Sequence, residues 1–519
     1  MAAPQRARVA LIGAGVGGLA AAARLAAQGF AVEVYEKGDA PGGRCGRLTV
    51  DGYTFDTGPT LLLMPEVLEE VFAACGRRLE DYLTLHRCDP NYRIHFHDGS
   101  DVTFTTELTA MAKELERIEP GSFQRYLAFL AQGKVQYQTS LDRFVGRNFD
   151  HLGQFLTPSS LRGVFSVRAH RRMYPEVSRF FKDPRLRAAM SFQTMYLGIS
   201  PYESPAVYGL LPYTELAMGI WYPRGGMFQL PLALARLCDE LGVAVHYGET
   251  VERLDVEGGR ARGRVLSDGR RVTADVVLCN ADLPWAYRHL LDPRDTTLPR
   301  ADKLRYTSSA FMMYLGVSRR YPQLLHHNVF FGRDYRASFD DIFKRFRVPA
   351  DPSFYVNVSS RTDAALAPAG TDGLYVLVPV PHRHDALDWD VEGPKLRAQV
   401  FRRLAEIGCE DVERHVVMER YFTPDDYETI LNLDKGSAFG LSHNFFQVGP
   451  FRPANQDRAI RNLFFVGAST QPGTGLPMVM LSARLVTERI VQHAGAQPEP
   501  RRLAVVTSRP TDAAAHSAA

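Results

Sequence analysis

The sequence predicts an α/β fold: a parallel sheet with crossover helices, interrupted by a large insertion of mixed α+β character. Three observations carry that expectation. At 519 residues the chain is longer than one ordinary core organises, so two domains or one domain with a long insertion are expected. Residues 9–36 read as strand, glycine turn, helix and second strand. A glycine-rich turn leading into a helix returns after residue 225 and again after residue 467, so distant parts of the chain come back to one sheet.

The opening unit starts with Val9, Ala10, Leu11 and Ile12, an apolar run suited to a buried parallel strand. Gly13, Gly15 and Gly18 follow as G-x-G-x-x-G and lead into an Ala/Leu-rich helix through Leu25. The glycines permit a tight turn, let the backbone approach a pyrophosphate, and let the helix pack on the strand. The helix N-terminus offers free N–H groups and the positive end of its dipole to phosphates. A second strand, residues 31–35, runs into Glu36, which lies 21 residues beyond Gly15, where an acid accepts hydrogen bonds from ribose hydroxyls. The whole is a Rossmann-like dinucleotide unit, and an acid rather than arginine at that position points to FAD or NAD rather than NADP.

Bulk composition narrows the class. Hydrophobic residues make up 45% and charged residues 23%, ordinary for a globular enzyme. A formal charge of +3 and the lack of any RNA- or DNA-binding motif argue against nucleic acid as a partner. Cys45, Cys75, Cys88, Cys238, Cys279 and Cys409 are scattered without C-x-x-C or His pairing along the chain. That is neither a disulfide framework nor a zinc pattern; no metal is expected, and the chain suits a reducing cytoplasm. Arg6 and Arg8 before an apolar stretch imitate a signal peptide, but the glycine motif inside that stretch excludes one. No run reaches the roughly 18 apolar residues of a spanning helix, so a soluble or peripheral protein is expected. The tail after Ala496 is Pro-, Ser- and Ala-rich and is expected to be disordered.

Beyond Glu36, Lys37-Gly38-Asp39-Ala40-Pro41-Gly42-Gly43-Arg44 reads as a second phosphate-side loop, with Arg44 supplying a cation. Residues 53–60 alternate like a strand and break at Gly58-Pro59. Residues 65–190 are expected to be mostly helical, with an aromatic-rich stretch at 123–144 read as core, and as the wall of an apolar substrate tunnel in the alternative. The basic segment 167–174 is read as a solvated helix face, with phospholipid headgroups as the alternative. Trp221-Tyr222-Pro223-Arg224-Gly225-Gly226-Met227 precedes a helix at 230–241, strands at 243–247 and 250–254, a hairpin at Asp268-Gly269, and a buried strand at 274–280. Strands are expected at 310–317, 353–358, 374–380 and 461–468, and helices at 394–407 and 478–493.

Taken together, these residues resemble the bacterial and fungal type of phytoene desaturase, within the flavin amine oxidase-like superfamily, over about residues 8–490. The glycine motif identifies only the superfamily. Phe55-Asp56-Thr57-Gly58-Pro59-Thr60, Trp221 to Gly226, Asn280-Ala281-Asp282, Val391 to Arg397, Phe422-Thr423-Pro424, Gly436-Ser437-Ala438-Phe439 and Asn462 to Pro477 are more specific. Where that family usually has histidine this chain has Gln471, so a proton-transfer role is not carried over to it.

The resemblance implies a fold of the glutathione reductase/amine oxidase type. Its FAD-binding parts would be residues 1–85, 225–290 and 446–496. A substrate domain would fill residues 86–224, mostly helical, and 291–445, mixed, with 497–519 as tail. It implies noncovalent FAD held by Gly13, Gly15, Gly18, Glu36, Lys37, Gly43, Arg44, Gly58, Pro59, Thr60, Val251, Gly467, Gly475, Leu476 and Pro477, with Gly225 and Gly226 on another side of it. It implies hydride abstraction from a C40 polyene in carotenoid biosynthesis, with quinone or oxygen reoxidising the flavin. Asp183 and Arg187, four residues apart, are the candidate acid–base pair, and a helical ion pair is the plainer reading of them. A hydrocarbon substrate that partitions into bilayers implies peripheral membrane contact of a cytoplasmic protein. Carotene isomerase, a desaturase or ketolase of a later carotenoid, amine oxidase and a non-enzymatic flavin module are the alternatives, and the oligomer state is open.

Overall fold

The Arg8–Ile12 strand sits at the centre of a five-stranded sheet in which every pairing is parallel. Strand order is Leu463–Phe465, Val276–Cys279, Arg8–Ile12, Ala31–Glu36, Ala244–Tyr247. Covered on both faces, residues 9–12 of the first strand and all of Val276–Cys279 read as unbroken apolar runs, whereas Ala31–Glu36 alternates buried with exposed residues at its start. Helix Val16–Ala27 packs on this sheet through Leu19, four consecutive alanines and Leu25, and touches helices Gln229–Glu240 and Leu476–His493. The chain leaves Arg8–Ile12 toward Ala31–Glu36 on one side, and Val276–Cys279 lies on the other. The carboxyl end of the first strand is therefore a topological switch point, where a crevice opens. The structure, a computed structural model, describes residues 7–149, 152–155, 157–295, 303–383 and 387–495. The tail expected to be disordered lies outside the described residues.

A second, seven-stranded sheet is mixed, in the order Val416–Phe422, Ser309–Val317, Asp372–Val380, Phe354–Asn357, His327–Phe330, Tyr92–His95, Asp101–Phe104. All nine residues of Ser309–Val317 are buried, because both faces are covered. Phe311, Met313 and Leu315 pack under helix Trp389–Ala405, while Met312 and Tyr314 meet Tyr53 and Phe55 from the Arg47–Val50/Tyr53–Asp56 hairpin. This is the period-2 alternation of a strand.

Three expectations need adjustment here. Residues 65–190 are mostly helical, as expected, but the span also holds three strands that the sequence reading did not anticipate: Leu85–Cys88, Tyr92–His95 and Asp101–Phe104. Tyr92, Ile94, Val102 and Phe104 are buried on alternate positions around the Asp98-Ser100 turn, a period-2 signal hidden among polar residues. Helix Trp389–Ala405 starts five residues before the expected Pro394, because Asp388 caps it by accepting from the Asp390 N–H at 3.0 Å. The basic segment is not simply a solvated face either. Arg168, Arg171 and Arg179 converge on Glu176, whose side chain is buried, so these cations are held by the protein itself.

Candidate functional site

One cavity of about 870 Å³ runs from the switch point of the first sheet into the second sheet and the helices between. Its first half is built by backbone. Gly13, Gly15, Val16 and Gly17 line it, and Gly15 caps helix Val16–Ala27 without any side-chain hydrogen bond and with no acid in the first turn. Gly475, at φ 103°, begins helix Leu476–His493 in the same way, and residues 475–479 line the cavity too. Two uncapped helix N-termini thus open on one space, where their free N–H groups and dipoles favour an anion.

Gly18 does not face the cavity; a Cβ there would lie 2.4 Å from Gly13 O and 2.9 Å from Asn280 Oδ1, so this glycine sets helix-to-strand approach. Asn280, at the end of its strand, lines the cavity and donates from Nδ2 to Val466 O at 2.9 Å, tying the central strand's neighbour to the last one.

Glu36 lines the cavity, with Oε2 accepting from Ala14 N at 2.7 Å and Oε1 from Gly38 N at 2.8 Å. The carboxylate is an acceptor-only group fixed by two backbone donors, and its remaining lone pairs suit hydroxyl donors. Gly42, Gly43 and Lys37 share the wall, and Lys37 Nζ donates to Ile430 O at 2.6 Å. Arg44 lines it as well, and Arg44 Nη1 donates to Ala438 O at 3.2 Å. Burial lowers the Arg44 pKa, and the nearby Asp282 charge opposes that. Burial raises Asp282, which accepts from Ser469 Oγ at 2.6 Å. Gly58, Pro59, Thr60, Val251, Gly467, Leu476 and Pro477 also line the cavity. A Cβ on Gly58 would lie 1.9 Å from Arg44 O, so only glycine lets that loop lie on the arginine's backbone. These features fit a dinucleotide: free N–H groups and a guanidinium for phosphates, and a fixed carboxylate for ribose.

The carboxyl-terminal turn is fixed by buried polar groups that sequence reasoning missed. Arg452 is 2% exposed and donates to five backbone oxygens: Leu441, Ser442, Gln447, Ala468 and Thr470. Burial pushes its pKa down to about 10. Burial, then the Arg452 charge, hold His443 well below the usual histidine range, so the imidazole is neutral and its Nε2 accepts from Thr474 N at 3.0 Å. Gln471 does not line the cavity; its amide donates to Gly449 O at 3.2 Å. No spacing in the sequence links Arg452 or His443 to the glycine turn. Asn280 carried a signal, its place at a buried strand's carboxyl end.

Other expected positions lie elsewhere. Gly225 and Gly226 do not line the cavity: the doublet turns the chain so that Gly225 N donates to Asp363 Oδ2 at 2.7 Å, and a Cβ on Gly226 would meet Asp56 Oδ1 at 3.0 Å. Asp183 and Arg187 do not line it either, and they do not pair with each other. Asp183 caps helix Pro184–Ala189 by accepting from Arg185 N and binds the Arg185 guanidinium at 2.8 Å, while Arg187 Nε donates to Phe181 O at 2.8 Å. The i,i+4 ion-pair reading is therefore corrected: a capping aspartate points back to its own first turn and meets the arginine two residues on.

The second half of the cavity is apolar, with Phe144, Phe192, Leu211, Phe331, Phe339 and Ile342 among its walls. The carboxylates that line the cavity, Glu36, Glu249 and Asp282, stand at or just after the carboxyl ends of first-sheet strands, so the far half carries no charge among the described residues. One layer behind it, Glu215 lies in the Thr214–Met218 segment, fully buried, with Tyr92 Oη donating to its Oε2 at 3.3 Å. Burial raises this carboxyl to about 7 against hydrogen bonds from Tyr196, Gln193 and Tyr92 that lower it.

The comparisons fall on this geometry. A family model described as flavin containing amine oxidoreductase matches residues 16–491. The zeta-carotene-forming phytoene desaturase of Myxococcus xanthus is 67% identical over 96% of this chain and 96% of its own. The phytoene desaturase of Phycomyces blakesleeanus is 39% identical over 97% and 88%. The all-trans-zeta-carotene desaturase of Myxococcus xanthus is 36% identical over 95% and 94%. Among solved structures, an oxidoreductase from Methanosarcina mazei superposes with a TM-score of 0.62 at 18% identity, covering 93% of this chain and 100% of that one. Wild-type putrescine oxidase bound to putrescine gives 0.58 at 14%, covering 95% and 99%. These two show a shared fold.

The Glu215 carboxyl generates a pH prediction. Its folded pKa, about 7, lies above its ordinary 4.5, so its contribution to stability is full below about pH 4.5 and is lost as pH rises through about 7. Glu215→Gln stays neutral. Thermal unfolding should therefore show the variant gaining on wild type between about pH 5 and pH 8, by on the order of 3 kcal/mol. A difference that does not change with pH would show that Glu215 is ionised throughout.

Proposed function

We propose, for a chain that belongs to the phytoene desaturase family of flavin-containing amine oxidoreductases, that it is an FAD-dependent carotenoid desaturase converting phytoene to zeta-carotene. The observation that carries the substrate class is the charge-free far half of the cavity. An amine substrate would want a carboxylate there. A polyene offers no polar handle, so its affinity must come from buried apolar area at about 25 cal/mol per Å². The preference for zeta-carotene as product rests on the 67% identity to the enzyme named for forming it, against 36% to the one named for consuming it.

Pyrophosphate would be held by the first turn of Val16–Ala27, with Arg44 as counter-charge, and ribose hydroxyls by Glu36. Lys37, Gly43 and Val251 would flank the adenosine half, and the 467–477 turn with residues 58–60 the other end. Gly18 supports this indirectly, by letting the helix close on its strand. Bound FAD supplies the hydride acceptor for the C–H bond that is broken. The protein's share is to orient the chain, keep water away through the phenylalanine walls, and fix the carboxyl-terminal turn through Arg452. Quinone or oxygen as final acceptor is part of this proposal.

Membrane contact is supported at one end of the cavity. Phe445 and Phe451 line it while remaining 46% and 44% exposed, and Phe446 beside them is 76% exposed. No helix among the described residues is long and apolar enough to cross a membrane, so contact would be interfacial.

Three measurements follow. Expressed in cells that accumulate phytoene, the chain should convert it to zeta-carotene, read by pigment chromatography; unchanged phytoene defeats the assignment, and consumption of only later carotenes favours the later-carotenoid alternative. Arg44→Met should weaken FAD binding in titrations by about 10- to 100-fold, the loss of one charged hydrogen bond; unchanged affinity would remove Arg44 from the site. In flotation, wild-type protein should rise with liposomes and Phe446→Asp should remain largely in the aqueous fraction; equal partitioning would mean this aromatic end is not the contact.

A further inference from the structure

Away from the cofactor half of the cavity, three buried side chains converge from two distant parts of the chain. Cys88 ends the Leu85–Cys88 strand, and His326 and His327 stand at the start of His327–Phe330. Their exposures are 3%, 6% and 1%. The Cys88 sulfur and one nitrogen from each imidazole lie within 4.8 Å of one another. Consecutive residues of a strand point to opposite faces, yet these two imidazole rings lie 4.2 Å apart, centroid to centroid.

Each ring is oriented by its other nitrogen. His326 Nδ1 is 2.5 Å from Thr362 Oγ1, and His327 Nδ1 is 2.6 Å from Tyr355 Oη. Both Nε2 atoms are buried with no hydrogen-bond partner among the described residues. Burying such groups unpaired costs about 1–3 kcal/mol each. Two buried imidazoles, each oriented by a hydrogen bond and each bringing one ring nitrogen to within 4.8 Å of a buried thiol, form the kind of side-chain cluster that holds a metal ion.

We infer that Cys88, His326 and His327 bind one thiophilic transition-metal ion, zinc(II) or copper(I), as a structural staple. The donor set is one thiolate and two imidazoles without a carboxylate, which suits these ions and not magnesium or calcium. Closing to metal–ligand distances of about 2.0–2.3 Å requires side-chain movements of about 1 Å. Burial keeps both histidines neutral, the form that ligates, and raises the Cys88 thiol to about 12. On binding, the sulfur–metal bond forms as the S–H bond breaks, and the proton leaves to solvent. The ion would clamp the Leu85–Cys88/Ile220–Pro223 ribbon to the seven-stranded sheet, directly behind Tyr355 on the cavity wall. Nothing in this inference depends on the substrate assignment.

Flavin-loaded enzyme is incubated with Zn²⁺, or with Cu⁺ under reducing conditions, then gel-filtered and analysed for metal. About one equivalent per chain is expected in wild type for at least one of the two ions, falling at least tenfold in Cys88→Ala and His327→Gln. Flavin content of the variants reports whether they have folded. Independently of any variant, Co²⁺ added to wild type should give a thiolate-to-cobalt charge-transfer band and protect Cys88 from alkylation, mapped by mass spectrometry. Wild type that takes up neither zinc nor copper, uptake by a folded Cys88→Ala equal to wild type, or Cys88 alkylated at the same rate with and without Co²⁺ would each overturn the site.

Discussion

Gly15 and Gly18 bring helix Val16–Ala27 against Asn280 so closely that a Cβ on either would fall within 3 Å of its Oδ1. The rest of the molecule is arranged around that contact. It lowers the start of the helix into the gap where the strand order reverses, and it leaves that start without a side-chain cap. Asn280 transmits the position onward by holding Val466 O, so the strand carrying the last glycine turn is set by the same residue that receives the first helix. Remote segments thereby acquire a common frame, and a second uncapped helix, Leu476–His493, opens on the same space.

Within that frame the cavity separates its polarity along its length. Glu36, Glu249, Asp282, Lys37 and Arg44 all stand at the carboxyl ends of first-sheet strands or on the loops beyond them, the surroundings that a charged cofactor needs. The walls beyond belong to the second sheet and its helices, where aromatic and aliphatic side chains dominate. Desolvating a charge there would cost several kcal/mol without a partner, so the far half selects an apolar guest by exclusion as much as by attraction. Glu215 follows the same logic: set one layer back in a dry environment, it is most stable holding its proton.

The carboxyl-terminal turn solves a different problem. Its backbone must be rigid yet present no side chain across the cavity. Glycines provide the clearance, and rigidity comes from outside the turn: Arg452 occupies five carbonyls from two segments, and neutral His443 receives an N–H from a third residue. A buried guanidinium suits this task because its donors form a fixed planar fork and its charge is spread over carbonyl dipoles.

The α/β class, the parallel strands and the glycine–acid motif are legible in the sequence because each depends on residues within about 30 positions, through apolar runs, spacing and turn chemistry. The short strands between residues 85 and 104 escaped notice because polar residues on their open face dilute the alternation. Only the tertiary structure decided where side chains point. It turned Gln471 away from the cavity, gave Asp183 to Arg185 instead of Arg187, and directed Gly225 and Gly226 toward aspartates that do not line the cavity. It also set Cys88 beside two histidines more than 200 residues away, although nothing along the chain pairs them. Sequence determines which backbone can form locally; convergence of distant side chains is set by packing, which no local pattern records.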